Sequence, residues 1–271
     1  MTTTIMIADA LKRIGAGLGS PMDDALQGVI AGNVSQKITG TSVCIIPSLE
    51  ALQGAAHSGN NLILCDGHPF FLYDPVWSTQ ASRAEIVLAS PMVATKRALI
   101  QQSGLCVFRL QTAWRRRFPS ASSHALAMRI GFSAIEHRDD HIVCRPPTHD
   151  ATAMARHLAA HGCGGVRVIG HRSTPSSRIA VVAGMLDASV LAKILCDPTI
   201  DGVVAGDAVE WETTPYMEDV VASGRHAALF LIGFDASMAP LGNAIADWVR
   251  PLLPDLPVDV VEQADVLRSP I

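Results

Sequence analysis

The sequence predicts an α/β protein made of two related α/β lobes with a cleft between them. Short, continuous apolar runs recur along the 271 residues, helix-like segments separate them, and the second half repeats the order of the first. Apolar strands alternating with helices are the pattern of βαβ units, whose sheets are covered on both faces. A chain of this length forms one large domain or two small ones.

In the first half, residues 42–46 (Ser-Val-Cys-Ile-Ile) read as a buried strand and 48–57 as a helix with Leu49 and Leu52 on its apolar side. A second strand follows at 61–65, a helix at 95–102 and a third strand at 105–110. The second half runs strand 178–183, helix 187–195, strand 202–205, helix 215–223 and strand 227–232. A last helix over 236–249 carries Leu241, Ile245 and Trp248 at helical spacing, and 258–261 closes as a short strand. The charged stretch 136–141, followed by Pro146 and Pro147, marks the break. The lobes are therefore expected at 1–140 and 141–271, with the C-terminal helix packing back on the first.

Composition excludes several functions. Twenty-one Lys and Arg against 25 Asp and Glu give a net charge of −4, without the basic footprint of a nucleic-acid binder. No apolar stretch reaches the roughly 18–20 residues of a membrane span. The N-terminus lacks the basic start and apolar run of a signal peptide, so a cytoplasmic protein is expected. The six cysteines are scattered with no Cys-x-x-Cys pair, against a disulfide framework or a zinc ribbon.

The candidate site lies in four loops. The middle strand of each half runs into an acid-bearing loop, with Asp66 and His68 in one and Asp207 and Glu210 in the other. The third strands end in polar loops holding Thr112, Arg115 and Asp235. Ligands of open α/β sheets bind beyond the carboxyl ends of strands, so these loops are expected to line one cleft. His68 stands between Gly67 and Pro69 and beside Asp66, as a candidate acid–base residue. Asp207 reads equally as a turn residue after Gly206, and Asp235 as a helix cap.

Other clusters carry less. Glu136, His137, Asp139, Asp140 and His141 read as a solvated loop between lobes. His157 and His161 share a helix face but lack the glutamate of a zinc-binding His-Glu-x-x-His, and read as a surface pair. Arg115, Arg116 and Arg117 have no second basic block behind them. No Gly-x-Ser-x-Gly elbow appears.

The ordered loops resemble those of the Nif-three-like proteins, the GTP cyclohydrolase 1 type 2 homologues. The family's Gly-Leu-Leu-Val-Gly stretch looks like Gly-Val-Ile-Ala-Gly at 28–32, and its first strand and turn look like 43–50. Its Ile-Thr-His-His-Pro-Leu-Phe loop corresponds to Leu-Cys-Asp-Gly-His-Pro-Phe at 64–70. Its His-Thr-Asn-Leu-Asp segment corresponds to 111–115, and the helix after it to 124–131. Its two late loops look like 205–211 and 233–238.

The resemblance implies the two-lobed fold, a ring-shaped homohexamer and a dinuclear metal site. At the six ligand positions, however, this chain has Gly67, His68, Gln111, Arg115, Phe234 and Met238, so only His68 remains as a metal ligand. One imidazole does not hold a transition metal. Two repairs stay open. A single divalent metal could sit at a displaced site built by His68 with Asp66, Asp207, Glu210 and Asp235. Alternatively the cleft works without a cofactor, with His68 and a carboxylate as acid and base and Arg115 as an anion clamp.

The expected function is hydrolysis of a small cyclic amide-type or heterocyclic, nucleotide-like compound. Asp66, His68, Asp207 and Glu210 would be catalytic, while Thr112, Arg115 and Asp235 would bind substrate. The alternative is a non-catalytic binding or scaffold subunit of the same fold, since fold does not fix function.

Overall fold

A computed structural model of the chain describes residues 5–19, 27–72 and 81–262. It opens with helix α1 (Ile7–Leu18), strands β1 (Gly28–Ala31) and β2 (Thr41–Cys44), helix α2 (Leu49–Ser58) and strand β3 (Leu62–Cys65). Helices α3 (Ala81–Leu88) and α4 (Pro91–Gln102), strand β4 (Cys106–Arg109) and helix α5 (Gln111–Arg117) follow. Next come α6 (Ala121–Arg129), the strands β5 (Ser133–His137) and β6 (Ile142–Arg145), α7 (Ala151–Ala160) and β7 (Arg167–Ile169). The remainder is β8 (Ile179–Leu186), α8 (Ala188–Leu195), β9 (Gly202–Ala208), α9 (Glu210–Ala222), β10 (Ala228–Leu231), α10 (Phe234–Val249) and β11 (Val258–Val260).

Two compact units result. The first contains the described residues up to Phe118 and those from Gly242 onward; the second is Pro119–Leu241. The division falls at Phe118 and Pro119 rather than at 140 and 141. The charged stretch 136–141 is no linker: β5 and β6 pair antiparallel, His137 opposite Ile142, and the charges sit in and beside their hairpin turn. Arg138 ties the turn down through Glu136 at 2.9 Å and Asp197 at 3.0 Å.

The first unit holds a five-stranded sheet in the order β1-β4-β3-β2-β11, parallel except for β1. Its central strands are buried along their whole length, as continuous apolar runs require in a doubly covered sheet. Leu52, Ala55, Ile63, Val93, Ile100 and Val107 form a core on one face. Local chemistry sets the helix ends. Ser48 Oγ accepts the Ala51 amide at 3.0 Å to start α2, and Gly59, at φ +79°, ends it in the left-handed region. Trp248 packs edge to face on both Trp114 and Phe118, the two indoles 5.5 Å apart, and brings the end of α10 into this unit.

The second unit holds a six-stranded sheet, β5-β6-β8-β9-β10-β7, in which β8, β9 and β10 are parallel. Apolar clusters cover both faces, one around Met154, Ile179 and Phe230 and the other around Leu191, Val203 and Leu229. Gly206 lets β9 pass close to its neighbours: a Cβ there would lie 2.1 Å from Ser237 Oγ and 2.5 Å from the Gly184 carbonyl.

Candidate functional site

The polar residues of the first unit converge beyond the carboxyl ends of β3 and β4. Cys65 pairs with Arg109 across these parallel strands, so the segments that follow leave the sheet side by side. The amides of Asp66 and Gly67 both donate to the Ile45 carbonyl, at 3.2 and 2.7 Å. That turn folds the Asp66 side chain inward, where it is only 3% exposed.

Asp66 is held from one side. Its Oδ2 accepts the Gln111 amide at 2.9 Å and faces the Arg115 guanidinium at 3.7 Å. Its Oδ1 is buried with no hydrogen-bond partner among the described residues. Arg109 lies beneath, equally buried; its Nε–H donates to the Asp66 carbonyl at 2.8 Å and another arm donates to Gln111 Oε1. A guanidinium has no acceptor, so Arg109 fixes the Gln111 amide with its NH2 turned toward Asp66. Burial pushes the Asp66 carboxyl above its ordinary pKa, against the opposing pull of Arg115, the Gln111 hydrogen bond and Arg109.

His68 is a neutral ring. Its Nδ1 accepts the Phe70 amide at 3.1 Å, which leaves the single ring proton on Nε2. Burial, reinforced by the charges of Arg109, Lys96 and Arg97, pushes its pKa down to about 4. No hydrogen bond joins His68 to Asp66 among the described residues. Arg109 is the cation whose charge acts on both.

Lys96 sets the loop that carries His68. It is 2% exposed, and its Nζ donates at 2.9 Å to both the Pro47 and the Pro69 carbonyl, with the Phe71 ring 4.2 Å away. One ammonium thus ties the loop after β2 to the loop after β3. Burial of the charge lowers its pKa. Phe71 has φ +59°, a left-handed conformation unusual for a non-glycine residue, at the point where this loop reverses.

The remaining sequence candidates are distributed differently. Thr112 is exposed in the first turn of α5, and Arg115 follows on the same helix with its side chain 55% exposed. Asp207 and Glu210 belong to the second unit, at the end of β9 and the start of α9. Both carboxylates are committed to Arg167, whose guanidinium reaches Asp207 Oδ1 at 2.9 Å and Glu210 Oε1 with its other arm. Arg167 pairs with Leu231 on β10, and Leu231 pairs with Ala205 on β9, so the cation comes from the edge strand across one intervening strand. Asp235 is half-buried in the first turn of α10, where an acid complements the helix dipole.

Three groups were missed in the sequence, and two of them left a signal. Arg109 interrupts an otherwise apolar strand, and Lys96 occupies the buried face of α4 between Val93 and Ile100. A charge in an apolar pattern is buried only where partners compensate it. Arg167 sits in a short edge strand and gave no comparable sign.

The donor set does not fit the dinuclear metal site that the resemblance implies. At Asp66 stand an amide, Gln111, and a cation, Arg115, while Nδ1 of the His68 imidazole is occupied by a backbone amide. Among the described residues no group of three or more His, Cys, Asp or Glu converges as metal ligands. His157 and His161 stack with ring centroids 4.0 Å apart, but both are half-buried; His157 reaches the Ile130 carbonyl and His161 the His157 carbonyl.

No protein-family model and no curated protein matches the sequence. Solved structures do match it along nearly its full length. The Staphylococcus aureus hypothetical protein SA1388 superposes with a TM-score of 0.73 at 13% identity, over 98% of this chain and 100% of that one. A Bacillus cereus protein related to NIF3 gives a TM-score of 0.72 at 9% identity, over 97% of this chain and 98% of that one. HcgD from Methanocaldococcus jannaschii, in its reduced form, gives 0.65 at 11% identity, over 97% and 100%. The α/β fold of two sheets is NIF3-like.

Proposed function

We propose that this chain of NIF3-like fold binds and hydrolyses a small cyclic amide or related heterocycle at the Asp66 site of its first unit. The observation that carries the reading is the buried Asp66 carboxyl, whose Oδ1 has no partner among the described residues while Oδ2 is fixed by Gln111. A buried acceptor without a partner costs about 1–3 kcal/mol, which a ligand N–H or a bound water offsets. A carboxyl raised above its ordinary pKa by burial both takes up and returns a proton more readily than an exposed one.

In the proposed reaction Asp66 takes a proton from water as the water oxygen attacks the ring carbonyl carbon. The carbonyl electrons move onto oxygen, where His68 Nε2–H and the Arg115 guanidinium stabilise the charge. Asp66 then returns the proton to the ring nitrogen as the C–N bond breaks, yielding a carboxylic acid and an amine. His68, with its proton on Nε2 and Nδ1 engaged, acts as a hydrogen-bond donor rather than as a metal ligand or base. Thr112, beside Gln111, contributes to substrate binding. Asp207 and Glu210, paired to Arg167, have a structural role in the second unit, and Asp235 a capping one. No cofactor is called for, and the homohexamer expected from the resemblance goes with this reading.

The test is a thermal-shift screen of lactams, cyclic ureides and purine nucleotides, followed by mass-spectrometric detection of ring-opened product. Turnover lost at least a hundredfold in both Asp66→Asn and His68→Ala, with folding intact, is expected. Stoichiometric metal in the purified protein that disappears in His68→Ala would replace this chemistry with a metal-dependent one. The second reading, a binding subunit without catalysis, draws on Arg167 closing off the second pair of carboxylates. It predicts ligands that shift the melting temperature and are recovered unchanged. Light scattering of the purified protein tests for the hexamer.

A further inference from the structure

A cavity of about 520 Å³ opens in the first unit, apart from Asp66, between the end of β1 and the C-terminal half of α4. Its volume lies within the range of small-molecule sites. Ile30, Ile100 and Leu105 supply apolar walls, and Asn33, Gln36 and Gln101 supply neutral amides. Arg97 is its one charged lining residue among those described. We propose that this cavity is a second ligand site, which takes a small organic anion with its carboxylate or phosphate on Arg97 and its apolar body against Ile100 and Leu105.

Three features support it. First, the Arg97 guanidinium lies 4.4 Å over the Phe70 ring, and a stacked planar guanidinium keeps its N–H edge free for an oxyanion. Some arginines of the chain have carboxylate partners: Arg115 pairs with Asp66, Arg138 with Glu136 and Asp197, and Arg250 with Asp247. No carboxylate among the described residues pairs with Arg97. Second, Arg97, an exposed residue, lines the cavity with no acid among the described lining residues. One cation and no acid at this place favour a negative ligand.

Third, the rim is built rather than accidental. Gln36 Nε2 donates to the Gly104 carbonyl at 2.8 Å, which closes the loop after β1 over the turn after α4. Gly32, at φ +100°, approaches so closely that a Cβ there would lie 2.2 Å from the Leu105 carbonyl. Phe70, which carries the Arg97 guanidinium, also donates its amide to His68, so an occupied cavity would sit one residue from the loop of the Asp66 site.

The test uses methyl-labelled full-length protein and three probes: benzoate, phenyl phosphate and neutral benzamide. Benzoate, phenyl phosphate or both are expected to shift the methyl signals of Ile30, Ile100 and Leu105, and the tighter of the two identifies the oxyanion. Benzamide is expected to bind about tenfold more weakly, the discrimination of a charge-assisted hydrogen bond. Arg97→Gln is expected to weaken the anion about tenfold or more while leaving the rest of the spectrum unchanged. Asp66→Asn is expected to leave anion binding unchanged, which separates this site from the hydrolytic one. Binding equal in Arg97→Gln, equal affinity for benzamide, or no methyl shift at 10 mM probe (roughly a hundred times a typical weak-site affinity) would each overturn the proposal.

Discussion

Replacing Asp66 with asparagine is expected to stabilise the protein at neutral pH while abolishing turnover. The carboxylate is 3% exposed, Oδ1 has no partner among the described residues, and Oδ2 has one hydrogen bond and an ion pair to the half-exposed Arg115. An ionised buried acceptor without a partner costs about 1–3 kcal/mol. An ion pair to an exposed partner returns at most about 1 kcal/mol. Asparagine keeps the shape and the bond from Gln111 and removes the buried charge, while its NH2 stands without a partner where Oδ1 was. A neutral orphan costs less than a charged one, so the variant should gain about 1 kcal/mol at pH 7.

The pH dependence distinguishes this cause from a packing effect. The folded carboxyl has a pKa above its unfolded value near 3.9. Between those two values the native state binds more protons than the unfolded state, so wild-type stability falls as pH rises through that window. Asparagine has no such fall. Urea denaturation from pH 4 to pH 8 should show the two proteins converging at the acidic end and separating as pH rises, with equal m-values. An asparagine variant less stable than wild type at pH 7, or a difference that ignores pH, would refute the reasoning.

Two further predictions concern the His68 loop. The folded pKa of His68, pushed down to about 4, lies below its ordinary 6.5. The native state therefore binds fewer protons across that interval, and the His68 contribution to stability is full above pH 6.5 and lost as pH falls toward 4. The loss amounts to about 3 kcal/mol at the limit, and His68→Gln should flatten this part of the pH–stability profile; an unchanged slope would show that another group titrates there. Lys96→Met leaves the Pro47 and Pro69 carbonyls without their shared donor but removes the penalty of burying an ammonium. It should cost about 2–4 kcal/mol and raise the His68 titration by a small part of its displacement, because burial and Arg109 act on it more strongly; no upward movement by NMR in a folded variant would count against the electrostatic role of Lys96.

Much of the fold was legible because burial writes itself into local pattern. The strands 62–65, 105–110 and 227–232 are fully covered segments, and their continuous runs of Leu, Ile, Val, Phe and Cys are what such burial requires. Asp66 and His68 were legible for a related reason: a polar pair placed directly after such a run must lie at a strand's carboxyl end. The edge strand β5 was not, since a half-exposed strand lacks a continuous apolar run, and the charges of the β5–β6 turn read as a linker.

The sequence by itself determined the alternation of strands and helices, the position of the polar loops and the residue types at 67, 111, 115, 234 and 238, the positions where the resemblance leads one to expect metal ligands. Each is a property of residue type and spacing. Tertiary structure decided which charges meet. Arg109 turns Gln111 toward Asp66, Lys96 joins two loops 22 residues apart through Pro47 and Pro69, and Arg167 takes both Asp207 and Glu210. These partners are distant in the chain, and strand register brings them together. The orphaned oxygen of Asp66 and the cavity at Arg97 follow from that register, because their surroundings are neighbours in space and not in sequence, whereas the proton on His68 Nε2 is set locally by the Phe70 amide.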